Sequence, residues 1–230
     1  MKGIILAAGK GSRLGDSSLP KPLTKLENGK SILEIQTSHL RPFLSPDAIF
    51  IVIGYHKEMI LDQFPEFTFV YNPLFAEQNT SKSLLRALSK VKDDVIWLNG
   101  DVVFHPDLLP PVLARKESCM VVNQAPVAEE EVKYKTDGRG WITEVSKHVI
   151  DPEGEALGIN FFKKHDLPLL LEGLEACDPN DYFEKGIEWA IQKGAKVAAQ
   201  PIAENLCTEV DFPEDLARAN QLIKSWEKVS

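Results

Sequence analysis

The chain has 230 residues, of which 43% are hydrophobic and 26% charged, and its formal net charge is −8. This hydrophobic content excludes a disordered or fibrous chain, and the acidic balance argues against nucleic-acid binding, which usually needs a basic surface. No apolar stretch of the sequence approaches the roughly 20 residues that span a bilayer, so we expect no membrane insertion.

Short apolar runs alternate with amphipathic stretches along most of the chain. The runs predict strands at residues 3–8, 48–54, 68–71, 95–98, 119–123, 158–162 and 196–202. Several runs are apolar on both faces, which is typical of parallel strands covered by helices on both sides. We therefore predict a single α/β domain over residues 1–230, built on a mostly parallel, open, Rossmann-like sheet with helices on both faces.

Local signals predict three helices between or after these strands. The segment Ser-Ile-Leu-Glu at 31–34 is a capping box that opens a helix, which should end before the Arg-Pro pair at 41–42. Thr80 or Ser81 is expected to cap a second helix, in which leucines recur at helical spacing. A third helix is predicted from about 213 to 226, with proline in its first turn.

The stretch 124–157 interrupts this alternation. Two short segments, 132–136 and 141–145, flank the sequence Asp-Gly-Arg-Gly at 137–140, which is a strong hairpin turn signal. We predict a small antiparallel hairpin inserted beside the sheet, where it would form one wall of a site for a second substrate.

A glycine-rich loop follows the first predicted strand, and its backbone N–H groups are suited to cradling phosphates. Gly9, Gly11 and Gly15 have the spacing G-x-G-x-x-x-G, which does not match the dinucleotide fingerprint. A Walker A loop is also excluded, because the Gly-Lys pair at 9–10 is followed by glycine. A tight turn would explain the glycines, but not the two nearby cations Arg13 and Lys21.

The segment Leu-Ala-Ala-Gly-x-Gly-Ser-Arg-Leu at 6–14, followed by Pro-Lys-Pro at 20–22, resembles the signature of the sugar-phosphate nucleotidyltransferase superfamily. The resemblance implies that family's fold, and an enzyme that joins an NTP to a phosphate-bearing acceptor and releases pyrophosphate. It implies catalytic roles for Arg13, at the β- and γ-phosphates, and for Lys21, near the α-phosphate. It also implies nucleotide binding by Leu6, Ala7, Ala8, Gly9, Gly11, Ser12 and Gly100.

One acidic residue follows an apolar strand, and two others lie within a later motif. Asp101 comes at the carboxyl end of the strand predicted at 95–98, where ligands bind in open α/β sheets, and the family holds Mg²⁺ with an aspartate in this position. Residues 208–216 resemble the family's late Glu-Ile-Asp-Thr-Pro-Glu-Asp-Leu motif, which makes Asp211 and Glu209 further candidate metal ligands. The alternative that Asp211 caps the helix at 213 stays open.

Polar residues open the helix predicted near residue 80. In relatives this position reads the edge of a pyrimidine, so Gln78, Asn79 and Ser81 are candidate nucleotide-binding residues. The segment lacks the Gly-Thr-Ala run of many sugar-1-phosphate uridylyltransferases. It is closer to cytidylyltransferases that act on phosphocholine, aminoethylphosphonate and related compounds, which implies CTP rather than UTP.

Later motifs extend the resemblance to this phosphocholine and phosphonate cytidylyltransferase group. They are Ser-Lys at 146–147, Gly-Glu at 154–155 and Tyr-Phe-Glu at 182–184. The implied acceptor-binding residues are Lys147, Glu155, Tyr182 and Glu184. A lysine suits the acceptor phosphate, and carboxylates beside an aromatic ring suit an ammonium group.

The sequence therefore predicts a Mg²⁺-dependent cytidylyltransferase that converts CTP and a small phosphate or phosphonate into a CMP-linked product and pyrophosphate. It is expected to act in the cytoplasm, since the three cysteines are widely spaced and suggest no disulfide framework, and to be a monomer or a homodimer. Two alternatives remain open. One is a sugar-1-phosphate uridylyl- or thymidylyltransferase, and the other is a non-catalytic nucleotide-binding domain on the same fold.

Overall fold

The computed structural model describes residues 1–11, 14 and 18–228, so the predicted site residues Ser12 and Arg13 lie outside the described part. Within it the strands are β1 (Lys2–Ala7), β2 (Ile49–Ile53), β3 (Thr68–Tyr71), β4 (Val95–Asn99), β5 (Val102–Phe104), β6 (Ser118–Val122), β7 (Lys133–Thr136), β8 (Ile142–Ser146), β9 (Gly154–Phe162), β10 (Val197–Pro201) and β11 (Cys207–Glu209). The α-helices are α1 (Ile32–Leu40), α2 (Lys57–Gln63), α3 (Thr80–Leu88), α4 (Leu109–Leu113), α5 (Leu167–Ala176), α6 (Phe183–Gln192) and α7 (Pro213–Glu227).

The main sheet has the strand order β10-β6-β9-β4-β1-β2-β3. β1 lies parallel to both β2 and β4, and the pairs β2–β3 and β6–β10 are also parallel. β9 runs antiparallel between β4 and β6. The predicted α/β fold with a mostly parallel sheet is confirmed, while the description of residues 1–230 as a single domain stays a prediction.

A second, two-stranded sheet pairs β5 with β11 in antiparallel register, with Glu209 opposite Val102. The sequence analysis did not predict β5, because a run of three residues gives too short a pattern. The pairing continues into a hydrogen bond from the backbone N–H of Val210 to the carbonyl oxygen of Asp101 at 3.0 Å. This small sheet therefore holds the segment that follows β4 against the segment that precedes α7.

The predicted hairpin is present as β7 and β8, which pair antiparallel across the turn at 137–140. β7 also pairs with the start of β9, where Lys133 lies opposite Glu155. Because β9 belongs to the main sheet, this second pairing connects the hairpin to the sheet at the strand that carries Glu155.

Two of the predicted helix starts are confirmed and one is corrected. Ser31 and Glu34 form the expected capping box at α1, and α7 begins at Pro213. At α3, however, the cap is Asn79 rather than Thr80 or Ser81, because the Asn79 side chain accepts the backbone N–H of Thr80 at 2.8 Å. The hydroxyl of Thr80 instead accepts the N–H of Phe183 at 3.1 Å, which connects the first turns of α3 and α6.

Buried apolar side chains join the helices to the sheet in three groups. One group packs β1, β2 and β9 against α1, α2 and α4, and a second packs the other face of the sheet against α3, α5 and α6. A third joins α7 to α1 and to Val103 and Val210. Since burial of each large apolar side chain contributes about 1.5–3 kcal/mol, this packing fixes the strand ends that carry the polar residues. No helix in the described ranges is long and apolar enough to cross a membrane.

Candidate active site

The candidate site lies at the carboxyl edge of the parallel strands β1 and β4. Ala8 and Gly9 follow β1, and Gly100 and Asp101 follow β4. The N–H of Gly100 donates to the carbonyl oxygen of Leu6 at 3.0 Å, so the two loops are joined by their backbones. Of the predicted nucleotide-binding residues in β1, Leu6 and Ala7 are buried, which leaves only their backbone for ligand contact.

The glycine loop lies against Lys21. Gly11 has a φ of +64°, in the left-handed region that disfavours residues with a side chain, and a Cβ at this position would lie 2.4 Å from Cβ of Lys21. Residue 11 is therefore a glycine for both conformational and steric reasons. The contact brings the loop after β1 next to one of the two predicted catalytic cations.

Lys21 joins two of the predicted metal ligands. Its ammonium lies 2.6 Å from Oδ2 of Asp101 and 2.7 Å from Oδ1 of Asp211, and the side chain of Lys21 is only 11% exposed. Burial alone would lower the pKa of Lys21, but the charges and hydrogen bonds of the two aspartates outweigh it, so the pKa lies above its usual value. The lysine is therefore held in its charged form between two carboxylates.

Asp101 and Asp211 both present carboxylate oxygens to this centre. Oδ1 of Asp101 is buried and has no hydrogen-bond partner among the residues that the structure describes. Asp211 is not the cap of α7. That position is Phe212, and Oδ2 of Asp215 accepts the N–H groups of Asp211 and Phe212 at 3.0 and 2.8 Å. The alternative that Asp211 caps α7 is therefore wrong, and Asp215 is the carboxylate that accepts the N–H groups just before the helix.

Glu209 lies on β11 among other carboxylates. Burial, followed by the negative charges of Asp101, Glu155, Asp211 and Glu184, raises its pKa well above the ordinary value. Its Oε1 would be 2.6 Å from a Cβ built on Gly158, so it faces β9. Across the described ranges, no three or more acidic, histidine or cysteine side chains are grouped closely enough to hold a metal ion.

The predicted base-reading residues lie at the start of α3. Oε1 of Gln78 and Oγ of Ser81 are both buried, and neither has a hydrogen-bond partner in the part of the chain described. Asn79 is already engaged as the helix cap, and its Nδ2 donates to the carbonyl oxygen of Asn180 at 3.2 Å. Gln78 and Ser81 therefore retain hydrogen-bonding capacity that Asn79 has largely used.

The structure brings Lys147 and Tyr182 of the predicted acceptor site together. The ammonium of Lys147 lies 4.7 Å from the centroid of the Tyr182 ring. Glu184, two residues further on, is 5% exposed, and burial raises its pKa to about 7 although the charge of Lys147 opposes that shift.

Glu155 lies on β9 and is connected to the end of β6. Its Oε2 accepts from Nδ2 of Asn123 at 3.0 Å, and its backbone exchanges hydrogen bonds with the same asparagine. Burial and the charge of Glu131 raise the pKa of Glu155 to about 7. The charge of Glu155 in turn contributes to the raised pKa of Glu209 on β11.

Three polar residues near the site were not predicted. Gln36 on α1 is buried, and its Nε2 donates to the carbonyl oxygens of Asn99 and Val102, both at 2.8 Å, which fixes the backbone around Asp101. Oδ1 of Asn99 is buried and has no hydrogen-bond partner in the described residues. Both Oδ1 and Nδ2 of Asn160 are likewise buried without such a partner. For the two asparagines a signal was present in the sequence, because an amide ends the apolar run of β4 and another interrupts the apolar run of β9.

Curated proteins with similar sequences include nucleotidyltransferases. The UTP–glucose-1-phosphate uridylyltransferase AglF of Haloferax volcanii is 26% identical over 242 residues, with 97% of each chain covered. The CMP-5'-(3-aminopropyl)phosphonate synthase of Streptomyces rubellomurinus is 32% identical over 242 residues, covering 96% of this chain and 38% of the synthase. The bifunctional protein GlmU of Methanococcus maripaludis is 36% identical over 111 residues, and the chain matches only 26% of its length.

Solved structures that share the fold include two CTP-dependent transferases. The inositol-1-phosphate CTP transferase from T. maritima has a TM-score of 0.82 at 19% identity, covering 99% of this chain and 96% of the other. The CTP:phosphocholine cytidylyltransferase LicC from Streptococcus pneumoniae has a TM-score of 0.78 at 19% identity, covering 96% and 98%.

A family model described as the MobA-like NTP transferase domain matches residues 3–173. This match spans the glycine loop, Lys21 and Asp101, together with Lys147 and Glu155. The chain therefore belongs to the MobA-like NTP transferase domain family.

Proposed function

We propose that the chain transfers a cytidylyl group from CTP to a small phosphate or phosphonate acceptor and releases pyrophosphate. The observation that carries this proposal is the contact of one lysine, Lys21, with both Asp101 and Asp211 beside the glycine loop. A cation held there by two carboxylates, next to backbone N–H groups suited to phosphate, fits the charge of a polyphosphate substrate.

In the proposed reaction an oxygen of the acceptor phosphate or phosphonate attacks the α-phosphorus of CTP. A P–O bond forms to that oxygen, the bond between the α-phosphorus and the bridging oxygen breaks, and the electron pair leaves with pyrophosphate. Negative charge accumulates among groups that are already anionic, so the protein acts mainly by positioning and neutralisation. We assign Lys21 to the α-phosphate and Arg13, from the sequence motif, to the β- and γ-phosphates.

The donor set also fits Mg²⁺, which prefers oxygen ligands and usually takes few of them from protein. Asp101 has a buried carboxylate oxygen with no partner in the described residues, and Asp211 is held beside it by the same lysine. We propose that these two aspartates hold the ion, which when bound would neutralise phosphate charge. Glu209 as a third ligand stays a prediction.

For the nucleotide, Gln78 and Ser81 would read the base, since both keep an unsatisfied buried atom at the start of α3. CTP is favoured because the synthase from Streptomyces rubellomurinus, whose product carries CMP, matches nearly the whole chain, and because the fold is that of two CTP-dependent enzymes. A CTP-dependent enzyme is expected in the cytoplasm, and the three cysteines are all buried and free, which is compatible with a reducing compartment.

For the acceptor, Lys147 would bind the phosphate or phosphonate, and Glu155 and Glu184 would accommodate a positively charged group. The two glutamates and Lys147 come from separate elements. The charge of Lys147 acts on Glu184, and the charge of Glu184 acts on Glu209. Burial raises the pKa of Glu155 and of Glu184 to about 7, so a cationic group bound beside them would stabilise their charged forms, which a neutral sugar would not do.

A second candidate function is transfer from UTP or dTTP to a sugar-1-phosphate, which the full-length match to AglF favours. The test is a pyrophosphate-release screen of CTP, UTP, dTTP and GTP against 2-aminoethylphosphonate, phosphocholine and glucose-1-phosphate with Mg²⁺. We expect release with CTP and an ammonium-bearing acceptor. Preference for UTP with glucose-1-phosphate would establish the second function, and nucleotide binding without pyrophosphate release would indicate a non-catalytic domain.

A further inference from the structure

Gln36 is a fully buried amide on α1 whose hydrogen-bond acceptors lie far away in the sequence. Its exposed fraction is 0%, and its Nε2 donates to the carbonyl oxygens of Asn99 and Val102, 63 and 66 residues further along the chain. Burying an amide costs free energy unless its hydrogen bonds are made. Both acceptors belong to the turn between β4 and β5, so this turn, rather than the helix, accounts for a polar residue at position 36.

The acceptors also fix the orientation of the Gln36 amide. With the amide turned over, Oε1 would face two carbonyl oxygens, and none of these three atoms can donate a hydrogen bond. In the observed orientation Oε1 is buried and has no hydrogen-bond partner in the part of the chain described. Both N–H groups of the amide are thus committed to the turn, although its oxygen stays unsatisfied.

Two main-chain contacts hold the same turn. The N–H of Gly100 donates to the carbonyl oxygen of Leu6, and the N–H of Val210 donates to the carbonyl oxygen of Asp101, each at 3.0 Å. Because these contacts join main-chain groups, they do not depend on the identity of a side chain. The contacts of Gln36, one at each end of the turn, do depend on it, so a substitution of Gln36 can loosen the turn.

The turn is packed closely against the segment that carries Lys21. A Cβ built on Gly100 would lie 2.5 Å from the carbonyl oxygen of Leu6 and 3.0 Å from Cγ of Pro22, the residue after Lys21. Displacing the turn would therefore disturb the contact of 2.6 Å between the Lys21 ammonium and Oδ2 of Asp101.

We propose that Gln36 is a positioning residue for the metal site, because it bonds both ends of the turn and so holds the Asp101 carboxylate in place for the ion. This inference rests on the proposed function and adds to it a residue that is not itself a ligand. Mg²⁺ demands near-ideal octahedral geometry, so its affinity depends on how precisely each carboxylate is held. Side chains that orient a metal ligand typically contribute about 10- to 100-fold in metal affinity or activity.

The test removes both donors of Gln36 and keeps most of its length. In Gln36→Met we expect the affinity for Mn²⁺, titrated by calorimetry with the unreactive analogue α,β-methylene-CTP present, to fall about 10- to 100-fold, and kcat to fall by a similar factor. The affinity for CTP without metal should change little, because the base contacts assigned to Gln78 and Ser81 do not involve the turn. Hydrogen exchange at the amides of Gly100 and Val210 should become faster, and this readout needs neither metal nor turnover.

Thr37→Val is the matched control. Thr37 is the next residue on α1, is 4% exposed, and its hydroxyl donates to the carbonyl oxygen of Leu33 at 2.8 Å, within the helix. This variant should lose stability but keep the metal affinity and kcat of the wild type. Gln36→Glu is a second variant in case Gln36→Met does not fold. A carboxyl group donates at most one hydrogen bond, so at least one of the two contacts is lost, and a lower Mn²⁺ affinity is expected again.

Unchanged Mn²⁺ affinity and kcat in a folded Gln36 variant would overturn the inference and leave the proposed function intact. An equal loss in Thr37→Val would also overturn it, because the effect would then follow from the stability of α1. If the wild type binds Mn²⁺ but releases no pyrophosphate with any acceptor, the proposed function fails, whereas the Mn²⁺ titration still decides the role of Gln36.

Discussion

The ammonium of Lys21 lies 2.6 Å from Oδ2 of Asp101, a residue 80 positions further along the chain. The same ammonium lies 2.7 Å from Asp211, 190 positions away. These contacts bring the loop after β1, the end of β4 and the segment before α7 to one point. They also mean that Lys21 pairs with both of the aspartates that are candidates to bind a metal ion.

Replacing Lys21 by methionine should reduce pyrophosphate release by about 10³–10⁵-fold, the loss associated with removing a well-placed cation from phosphoryl-transfer chemistry. Methionine keeps most of the side-chain length and packing but not the charge. Steady-state kinetics with CTP and the preferred acceptor measure the effect, and circular dichroism checks that the variant folds. Near-wild-type turnover in the folded variant would remove Lys21 from the catalytic machinery.

Lys21→Met should also increase the affinity of the site for a divalent metal ion in the absence of nucleotide. In the wild type the Lys21 ammonium occupies the space between Asp101 and Asp211, so it competes with a divalent cation for their oxygens. We expect Mn²⁺ to bind Lys21→Met about tenfold more tightly or better, since ~1.4 kcal/mol of electrostatic competition corresponds to tenfold. Calorimetry and Mn²⁺ spectroscopy measure this directly. Lys25→Met, which removes a lysine from an exposed pair with Glu34, is the control, and equal Mn²⁺ affinity in the two variants would contradict the idea.

Asp211 and Asp215 provide a matched pair of carboxylates with different roles. Asp211→Asn should fold normally and lose most activity, because an amide is a poor Mg²⁺ ligand and pairs weakly with Lys21. Asp215→Asn removes the same charge one turn away but keeps an oxygen that accepts the N–H groups at the start of α7, so it should stay active. Pyrophosphate release and thermal unfolding distinguish them. Full activity of Asp211→Asn would exclude Asp211 as a metal ligand.

Features specified by neighbouring residues could be predicted from the sequence. The capping box at Ser31 and the hairpin around 137–140 are of this kind, since both depend on residues a few positions apart. Asn79, Thr80 and Ser81 are three adjacent cap-forming residues, so the sequence could not decide which one caps α3. In the structure the cap is Asn79, and the hydroxyl of Thr80 accepts the N–H of Phe183 instead.

The internal contacts of the site could not be predicted in the same way. Glu184 stands in the first turn of a helix, where a glutamate is usually solvated, and its burial depends on how α6 packs against α5, β8 and α3. The contact of Lys21 with two aspartates likewise depends on how strands distant in sequence meet at one edge of the sheet. The family resemblance identified Lys21, Asp101 and Asp211 as site residues. The spacing of these residues in the sequence does not give the distances between them.

The raised pKa of Glu184 predicts a pH dependence of stability. In the unfolded chain this carboxyl ionises near its ordinary value of 4.5, whereas in the folded chain it keeps its proton up to about 7. Between these values the native state binds more protons, so the contribution of Glu184 to stability falls as the pH rises from about 4.5 to 7. Glu184→Gln should therefore gain stability over the wild type across this range, with a constant difference above it.

Urea denaturation at pH 5, 6, 7 and 8 measures that difference. In Glu188→Gln, a substitution on the same helix, the free energy of unfolding should change with pH as it does in the wild type. Glu155 contributes equally to this pH dependence in all three proteins. A difference between Glu184→Gln and the wild type that does not change with pH would mean that Glu184 is ionised throughout and is stabilised by a cation in the folded chain.

Gly11, in the glycine loop, and Gly29, outside it, have similar backbone conformations. Comparing their alanine variants separates the effect of backbone strain from the effect of a steric clash with Lys21. Gly11 has a φ of +64° and Gly29 a φ of +81°, but a Cβ at residue 11 would lie 2.4 Å from Cβ of Lys21, whereas nothing lies within 4 Å of a Cβ at residue 29. Both alanine variants should lose about 1–2 kcal/mol of stability, the cost of a left-handed conformation for a residue with a side chain. Only Gly11→Ala should also lose turnover, because the new methyl group displaces Lys21 from its position between Asp101 and Asp211. Thermal unfolding and pyrophosphate release, measured on both variants, test this, and equal activity of the two would mean that the loop does not position Lys21.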